Sequence, residues 1–311
     1  MAATLHVIFG TGPVGTWTAQ ALRAMGHQVR AVNRSGKRPG LMPEDVEIVA
    51  ADASDVRQAI EAARGAAVVY QALNPAYDKW PELFPPLQRA ALEAARAAGA
   101  RYVSIDNLYG YGRVDGTLTE RTPQQPNTKK GRLRAAMTRD VLDAHARGDV
   151  RAAILQSSDY YGPGVRVSQF GGRVFPRLLA GKAADVTGRA DLPHSYAYIE
   201  DVGRAAAVLG TRDEALGRVW FAPHAEAATQ QATVAEACRQ FGIAPRVRVV
   251  SPLMMRLAGL FIPAARESVE MLYQFTEPFV VSSEAIETAF GLAPTPLAEG
   301  LRRTIEWWKK Q

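Results

Sequence analysis

One cysteine among 311 residues excludes an internal disulfide. That residue, Cys238, sits in VAEACRQF, which reads as the buried face of a helix, so its thiol is expected to pack rather than react. A single unpaired thiol also fits a reducing compartment. The five histidines fall at no metal-ligand spacing, and no metal site is expected. Long apolar runs are missing too. The chain opens without a basic segment followed by an apolar stretch, because LHVIF (5–9) ends at a glycine, and no signal peptide is expected. The longest apolar tract, LMMRLAGLFIPAA (253–265), contains Arg256 and a proline and falls short of the ~20 residues a spanning helix needs. The expectation is a cytoplasmic protein with no membrane partner. That tract is read as a core or partner-facing helix, and RLAGLFIPAARESVEMLYQF (256–275) has the apolar content of a helix able to pair two subunits as a homodimer. Strong charge of one sign is also lacking. The 37 Lys+Arg and 31 Asp+Glu leave +6, spread along the chain, which favours small anionic molecules and gives no ground for nucleic acid. No internal repeat or low-complexity segment occurs.

What is present is a rhythm. Short apolar or β-branched runs alternate with alanine-rich helical stretches: LHVIF, then 14–25, QVRAVN, VEIVA, then 55–64, AAVVYQA, then 83–98, RYVSI, then 130–147, and RAAILQ. Strand and helix alternating at this spacing predict a parallel sheet wound with helices on both faces, and the wholly apolar strands agree with a sheet covered on both sides. After about residue 165 the rhythm breaks into mixed elements. The reading is an α/β, doubly wound Rossmann fold over residues 1–165, with residues 166–311 forming mainly a smaller substrate-binding cap. The two are interleaved, since RVWFA (218–222) is placed to return to the sheet and the stretch around 195–222 with it.

Gly10-Thr11-Gly12-Pro13-Val14-Gly15 follows the first strand and opens the first helix. Glycine there turns the chain tightly, lets the backbone approach a pyrophosphate and lets helix and strand pack closely, while the helix N-terminus offers free N–H groups to the phosphates. About 20 residues on, where an NAD site usually supplies a carboxylate for the ribose diol, the second strand ends in Asn33-Arg34-Ser35-Gly36-Lys37-Arg38. Arg34 can fork onto a 2′-phosphate, Ser35 can add a hydroxyl, and Lys37 or Arg38 can add charge. NADP(H) is therefore the expected cofactor. Asp52 and Ala53 follow the third strand, where a carboxylate can meet the adenine amino group or can cap the helix starting near Val56. Gln71, Ala72, Leu73 and Asn74 end the fourth strand over the expected cofactor path.

With the glycine loop, DASD, YVSIDNLYGYG, SSDYYGPGV and HSYAYIEDVGRAA in this order, the chain resembles the short-chain dehydrogenase/reductase superfamily, in the extended branch often labelled NAD-dependent epimerase/dehydratase. The similarity covers nearly the whole chain. It implies hydride exchange with nicotinamide, assisted by a Ser/Thr and a Tyr-x-x-x-Lys pair, in which the tyrosine exchanges a proton with the substrate and the lysine lowers its pKa and holds the nicotinamide ribose. It also implies that Tyr198 and Asp201 fix a helix start beneath the site, and Ser157 is counted among the cofactor positions. The chain departs from the pattern in three places. Ile105 stands where the Ser/Thr belongs, with Ser104 one residue earlier on the other face of the strand. Lys130 stands at the tyrosine and Arg134 at the lysine. Phe9 replaces the first glycine of the branch's G-x-x-G-x-x-G. These departures resemble atypical members of the superfamily.

Lys130 and Arg134 lie one helical turn apart, hence on one face, and the resemblance turns that face towards the nicotinamide. Lys130 beside a second cation can donate a proton to a carbonyl, or grip ribose or phosphate, or simply begin a solvated helix near Lys129 and Arg132. Asp106 and Tyr161 complete the catalytic candidates, with Tyr109, Tyr160 and His194 behind them. Asn74, Tyr77 and Trp80 can line a pocket for a ring or acyl chain. The expectation is an NADP(H)-dependent oxidoreductase moving hydride to or from a carbonyl, enone or alcohol carbon of a small organic substrate. A sugar-nucleotide epimerase or dehydratase is the enzymatic alternative, weakened by the missing tyrosine. A non-catalytic NADP(H)-binding sensor or scaffold is the alternative of another class.

Overall fold

The computed structural model describes residues 3–311. The chain divides into two compact units. The first comprises the chain up to Asn107 with Arg132–Gln156 and Val202–Ala222; the second comprises Leu108–Gly131, Ser157–Asp201 and Pro223–Gln311. The stretch Leu108–Gly131, which the strand and helix rhythm puts in the nucleotide-binding part, thus clusters with the second unit.

Seven strands build the first unit: β1 (Leu5–Phe9), β2 (Gln28–Asn33), β3 (Glu47–Ala50), β4 (Val68–Gln71), β5 (Arg101–Asn107), β6 (Arg151–Ser157) and β7 (Val219–Phe221). They form one parallel sheet in the order β7-β6-β5-β4-β1-β2-β3. Parallel pairing demands crossovers, and these are α1 (Pro13–Ala24), α2 (Val56–Ala62), α3 (Trp80–Ala97), α4 (Lys129–Ala146) and α5 (Ile199–Thr211). Side chains alternate across the sheet. Val7 and Phe9 of β1 join Val69, Tyr102 and Ile154 in a core closed by the alanines of α2 and α3 and by Val141 and Ala144 of α4. The opposite face takes α1 and α5, which approach each other so closely that a Cβ on Gly203 would lie 2.5 Å from the Trp17 backbone. The buried side of α1 is Gly15, Thr16, Thr18, Ala19 and Leu22, because the helix lies with Gly15 against β1. Pairing Phe9 with Val32 and Gln71, Asn33 with Ala50, and Gln71 with Ser104 brings the C-terminal tips of five strands to one edge of the sheet.

At the opposite edge His6 is buried, with Nδ1 2.9 Å from the Tyr70 hydroxyl and Nε2 3.0 Å from Thr4 Oγ1. Burial, followed by the neighbouring His27 and Arg101, pulls its pKa from 6.5 down to about 3. Unfolded His6 takes up a proton near pH 6.5 and folded His6 does not until about pH 3, so the folded state loses stability as pH falls through that window. The slope attributable to His6 is about 1.4 kcal/mol per pH unit, absent above the window. Urea unfolding of wild type and His6→Gln between about pH 5 and about pH 7 is expected to show a smaller slope in the variant; equal slopes would remove His6 from this account.

The second unit packs Tyr161, Phe170, Phe175 and Tyr198 against Cys238 of α6 (Gln230–Phe241) and against Leu301 and Ile305 of its C-terminal helix. Short parallel pairs, Tyr160–Tyr161 with Ala197–Tyr198 and Ala184–Thr187 with Val247–Val250, hold it together. The tract read as one apolar helix is two, α7 (Pro252–Ala258) and α8 (Pro263–Ser268), because Pro263 cannot continue the first and instead begins the second.

Candidate functional site

In the first unit the site is built on the tips of β1, β2 and β4. Gly10 has φ +105°, and a Cβ there would stand 2.5 Å from the Ala72 carbonyl oxygen, so only glycine turns the chain against the end of β4. A Cβ on Gly15 would lie 2.0 Å from the Gly10 carbonyl oxygen and 3.3 Å from Ile8, which is the close approach of α1 to β1. Gly12 faces open space. It is also the N-cap of α1, with no side chain bonded to the helix end and Pro13 behind it. The first helical amide bond runs from Thr16 to the Gly12 carbonyl at 2.9 Å, leaving the N–H groups of Val14 and Gly15 ahead of it for an anion.

The β2 tip is organised by Asn33. Its amide donates to Thr11 Oγ1 at 3.0 Å and to the Lys37 carbonyl at 2.9 Å, and its oxygen accepts from the Ser35 and Gly36 amides and from the Ser35 hydroxyl. Asn33 therefore shapes the loop with every polar atom it has. Arg38 is spent on the Pro43 and Val46 carbonyls. Arg34 is exposed and forms no ion pair among the described residues. No carboxylate stands within residues 33–38. Asp52 accepts from the Ser54 amide at 2.9 Å and its hydroxyl at 2.7 Å, and these bonds, with Arg34 contributing, hold its carboxyl below the usual range. The cap of α2 is Asp55, bonded to the Arg57 and Gln58 amides, so Asp52 is not the helix cap. Ala53 is buried beside it, Ala72 and Leu73 are half-buried, and Asn74 is exposed as the chain leaves β4.

Also within this unit, Asp106 on β5 forms a buried ion pair with Arg134 on α4. The guanidinium carbon sits 4.2 Å over the Phe84 ring and 5.3 Å over Trp80, and Arg134 Nε has no hydrogen-bond partner. Burial pushes the Asp106 carboxyl up, against the opposing pull of Arg134 and of the Asn107 amide at 2.5 Å. Ile105 is buried on the same strand, and Ser104 is buried at its register position opposite Gln71.

In the second unit Lys130 is almost fully buried, and two carboxylates meet its ammonium: Glu267 at 2.5 Å and Glu270 at 3.2 Å, with the Glu267 carbonyl at 3.3 Å. Glu270 also accepts the backbone amides of Lys129 at 2.8 Å and Lys130 at 3.3 Å. It is thus an acid placed at the positive end of α4. The sequence expectation set Lys130 beside a second cation; its near neighbours are acids, and Arg134 has an acid of its own. Tyr161 is buried, its ring 5.4 Å from Tyr198 and its hydroxyl where a Cβ on Gly300 would intrude, and burial drives its pKa well above the usual phenol value. Ser157 is buried and donates to the Ser158 carbonyl at 3.2 Å. His194 lies between Asp159 at 3.0 Å and the Gln274 carbonyl at 3.1 Å, stacked on Phe275. Asp201 accepts the amide and hydroxyl of Thr295 at 2.6 and 2.7 Å.

Sequence reasoning did not anticipate Glu267 and Glu270. The available signal was the rule that a buried ammonium needs an acid, but it does not say which.

The model of the NAD dependent epimerase/dehydratase family matches residues 7–220. A 3-diazoavenalumate denitrifying reductase from a Streptomyces species is 32% identical over 303 residues, covering 92% of this chain and 94% of that protein. Among solved structures, a dTDP-glucose 4,6-dehydratase of Streptomyces venezuelae with NAD and TYD bound superposes with a TM-score of 0.80 at 18% identity, over 99% of this chain and 98% of that one. MoeE5 in complex with UDP-glucose and NAD gives 0.78 at 21%, over 99% of both chains. At these identities the two structures share the fold.

Proposed function

The chain belongs to the NAD-dependent epimerase/dehydratase family, and from that premise we propose that it is an NADP(H)-dependent reductase of small, electron-poor organic acids, with a diazo-bearing aromatic carboxylate as the first substrate to test. When bound, the cofactor supplies hydride. For its phosphates the chain offers the Val14 and Gly15 amides behind an open Gly12, with Thr11 and Pro13 shaping the loop. For a 2′-phosphate it offers Arg34, flanked by Ser35 and Lys37 on the turn that Asn33 holds. Asp52 and Ala53 are assigned to the adenine side, and Ala72, Leu73, Asn74 and Ser157 to the remaining path.

The reductive half rests on one observation, that carboxylates hold both Lys130 and Arg134, read with the sequence expectation that Ile105, Lys130 and Arg134 take the places of the family's Ser/Thr, tyrosine and lysine. Oxidising an alcohol, the opening step of an epimerase or dehydratase, needs a base to take the hydroxyl proton. Replacing a diazonium group by hydrogen needs none. One hydride is added, the carbon–nitrogen electron pair leaves in dinitrogen, and the charges balance without a proton. The similarity to a denitrifying reductase supports this direction. A carbonyl or enone acceptor is the second reading, with Lys130, Asp106 or Tyr161 then supplying the proton. The experiment is to incubate the protein with NADPH and a diazotised aromatic carboxylate beside a panel of ketones and enones. One NADPH consumed per dinitrogen released is expected. Turnover confined to the carbonyl panel would replace the first reading by the second, and no turnover anywhere would favour a sensor.

Lys130 is assigned the cofactor grip rather than the proton. Lys130→Ala is expected to lower kcat/KM about tenfold, chiefly through KM for NADPH. The kcat of both proteins should stay flat from about pH 6 to about pH 9. A descending limb in the wild type that Lys130→Ala abolishes would instead make Lys130 the proton donor.

A further inference from the structure

From Gly242 to Arg266 the sequence holds four arginines and not one Asp or Glu. Six large apolar side chains are exposed in the ten residues 253–262. Phe261 is 86% exposed, Leu260 74% and Leu253 65%, with Met254, Leu257 and Ile262 all above half. The cause is local. α7 buries Met255 and turns Leu253, Met254 and Leu257 outward, and the turn before α8 carries Leu260, Phe261 and Ile262 to the surface. Within and beside this ridge Arg256 and Arg266 are exposed and form no ion pair among the described residues, as is true of Arg246 earlier in the segment. The first acids to follow, Glu267 and Glu270, turn to Lys130 instead.

We propose that this ridge docks on an anionic lipid surface, with Leu260 and Phe261 entering the headgroup–acyl boundary and Arg256 and Arg266 meeting the phosphates. Charge decides the occupant. A symmetric contact between two copies would set the same patch against itself, bringing two sets of arginines into one interface with no acid in the segment to relieve them. An anionic bilayer neutralises those charges and takes up the apolar tips together. No helix of the described residues is long and apolar enough to cross a membrane, so the contact is one of lying on the surface. It is independent of the proposed reaction.

The test is co-sedimentation of the full chain with phosphatidylcholine vesicles and with vesicles containing about one quarter phosphatidylglycerol, together with light scattering. Partition onto the anionic vesicles is expected to exceed that onto neutral ones by about tenfold or more and to fall with salt. Arg256→Gln with Arg266→Gln should weaken it by about fivefold per arginine, and Leu260→Asp with Phe261→Asp should abolish it. All four positions are exposed, and unchanged melting curves confirm that the variants fold. Equal partition onto both vesicles, or none at about millimolar lipid, overturns the proposal. So does a dimer that Leu260→Asp dissolves, which would give the ridge to a second copy.

Discussion

Arg34→Ala is expected to raise the dissociation constant for NADPH by about tenfold to a hundredfold while leaving that for NADH within about twofold. The guanidinium is the one group of the β2 tip that is charged, exposed and uncommitted to the loop itself apart from Lys37, since Asn33 and Arg38 are occupied by the loop's own backbone. A charge-assisted bond to a phosphate dianion contributes about 1.5–3 kcal/mol, which sets the fold-change. The wild type should prefer NADPH at least about tenfold, by fluorescence titration at fixed ionic strength, because an exposed arginine is screened by salt. Equal affinities in the wild type would reject the assignment, whatever the variant does. Arg34→Lys should recover part of the loss, since an ammonium supplies charge without the two-pronged geometry.

Asp106→Ala is expected to cost about 3–5 kcal/mol of folding stability, because it leaves Arg134 charged and buried with its carboxylate gone. Phe84 and Trp80 stack on that guanidinium, its Nε already lacks a partner, and the Met137 sulfur 3.6 Å from Nη1 is too weak an acceptor to replace a carboxylate. Converting both members to apolar residues, Asp106→Leu with Arg134→Met, should return most of the loss, since the desolvation cost of both charges disappears together. Urea denaturation of the three proteins checks this. A single-variant cost under about 1 kcal/mol would mean that water reaches Arg134 once the carboxylate is removed.

The sheet was legible because its strands carry their own signal. β1, β2, β4 and β5 begin within two residues of the runs LHVIF, QVRAVN, AAVVYQA and RYVSI, and RVWFA does pair as β7 at the sheet edge. The glycine loop was legible for the same reason, its geometry being local. Pairings made across the fold were not. Asp106 meets Arg134 from a different element, and Lys130 meets acids 137 and 140 residues away. Nothing in KKGRLRAAM records them. Local competition misled as well. Asp52 and Asp55 both precede α2, and only the spacing to the Arg57 and Gln58 amides selects Asp55 as the cap. In the tract 253–265 composition suggested one helix, while Pro263 made it two.

The path of the chain passes between the two units five times, at 107/108, 131/132, 156/157, 201/202 and 222/223. Neither unit can therefore be excised as one contiguous fragment. A protein ending at residue 165 would lack β7 and leave β6 as a bare, adhesive edge. During synthesis the nucleotide-binding half stays incomplete until Ala222 has cleared the ribosome, so a stalled or truncated polypeptide is a candidate for chaperones and proteases rather than a working half-enzyme.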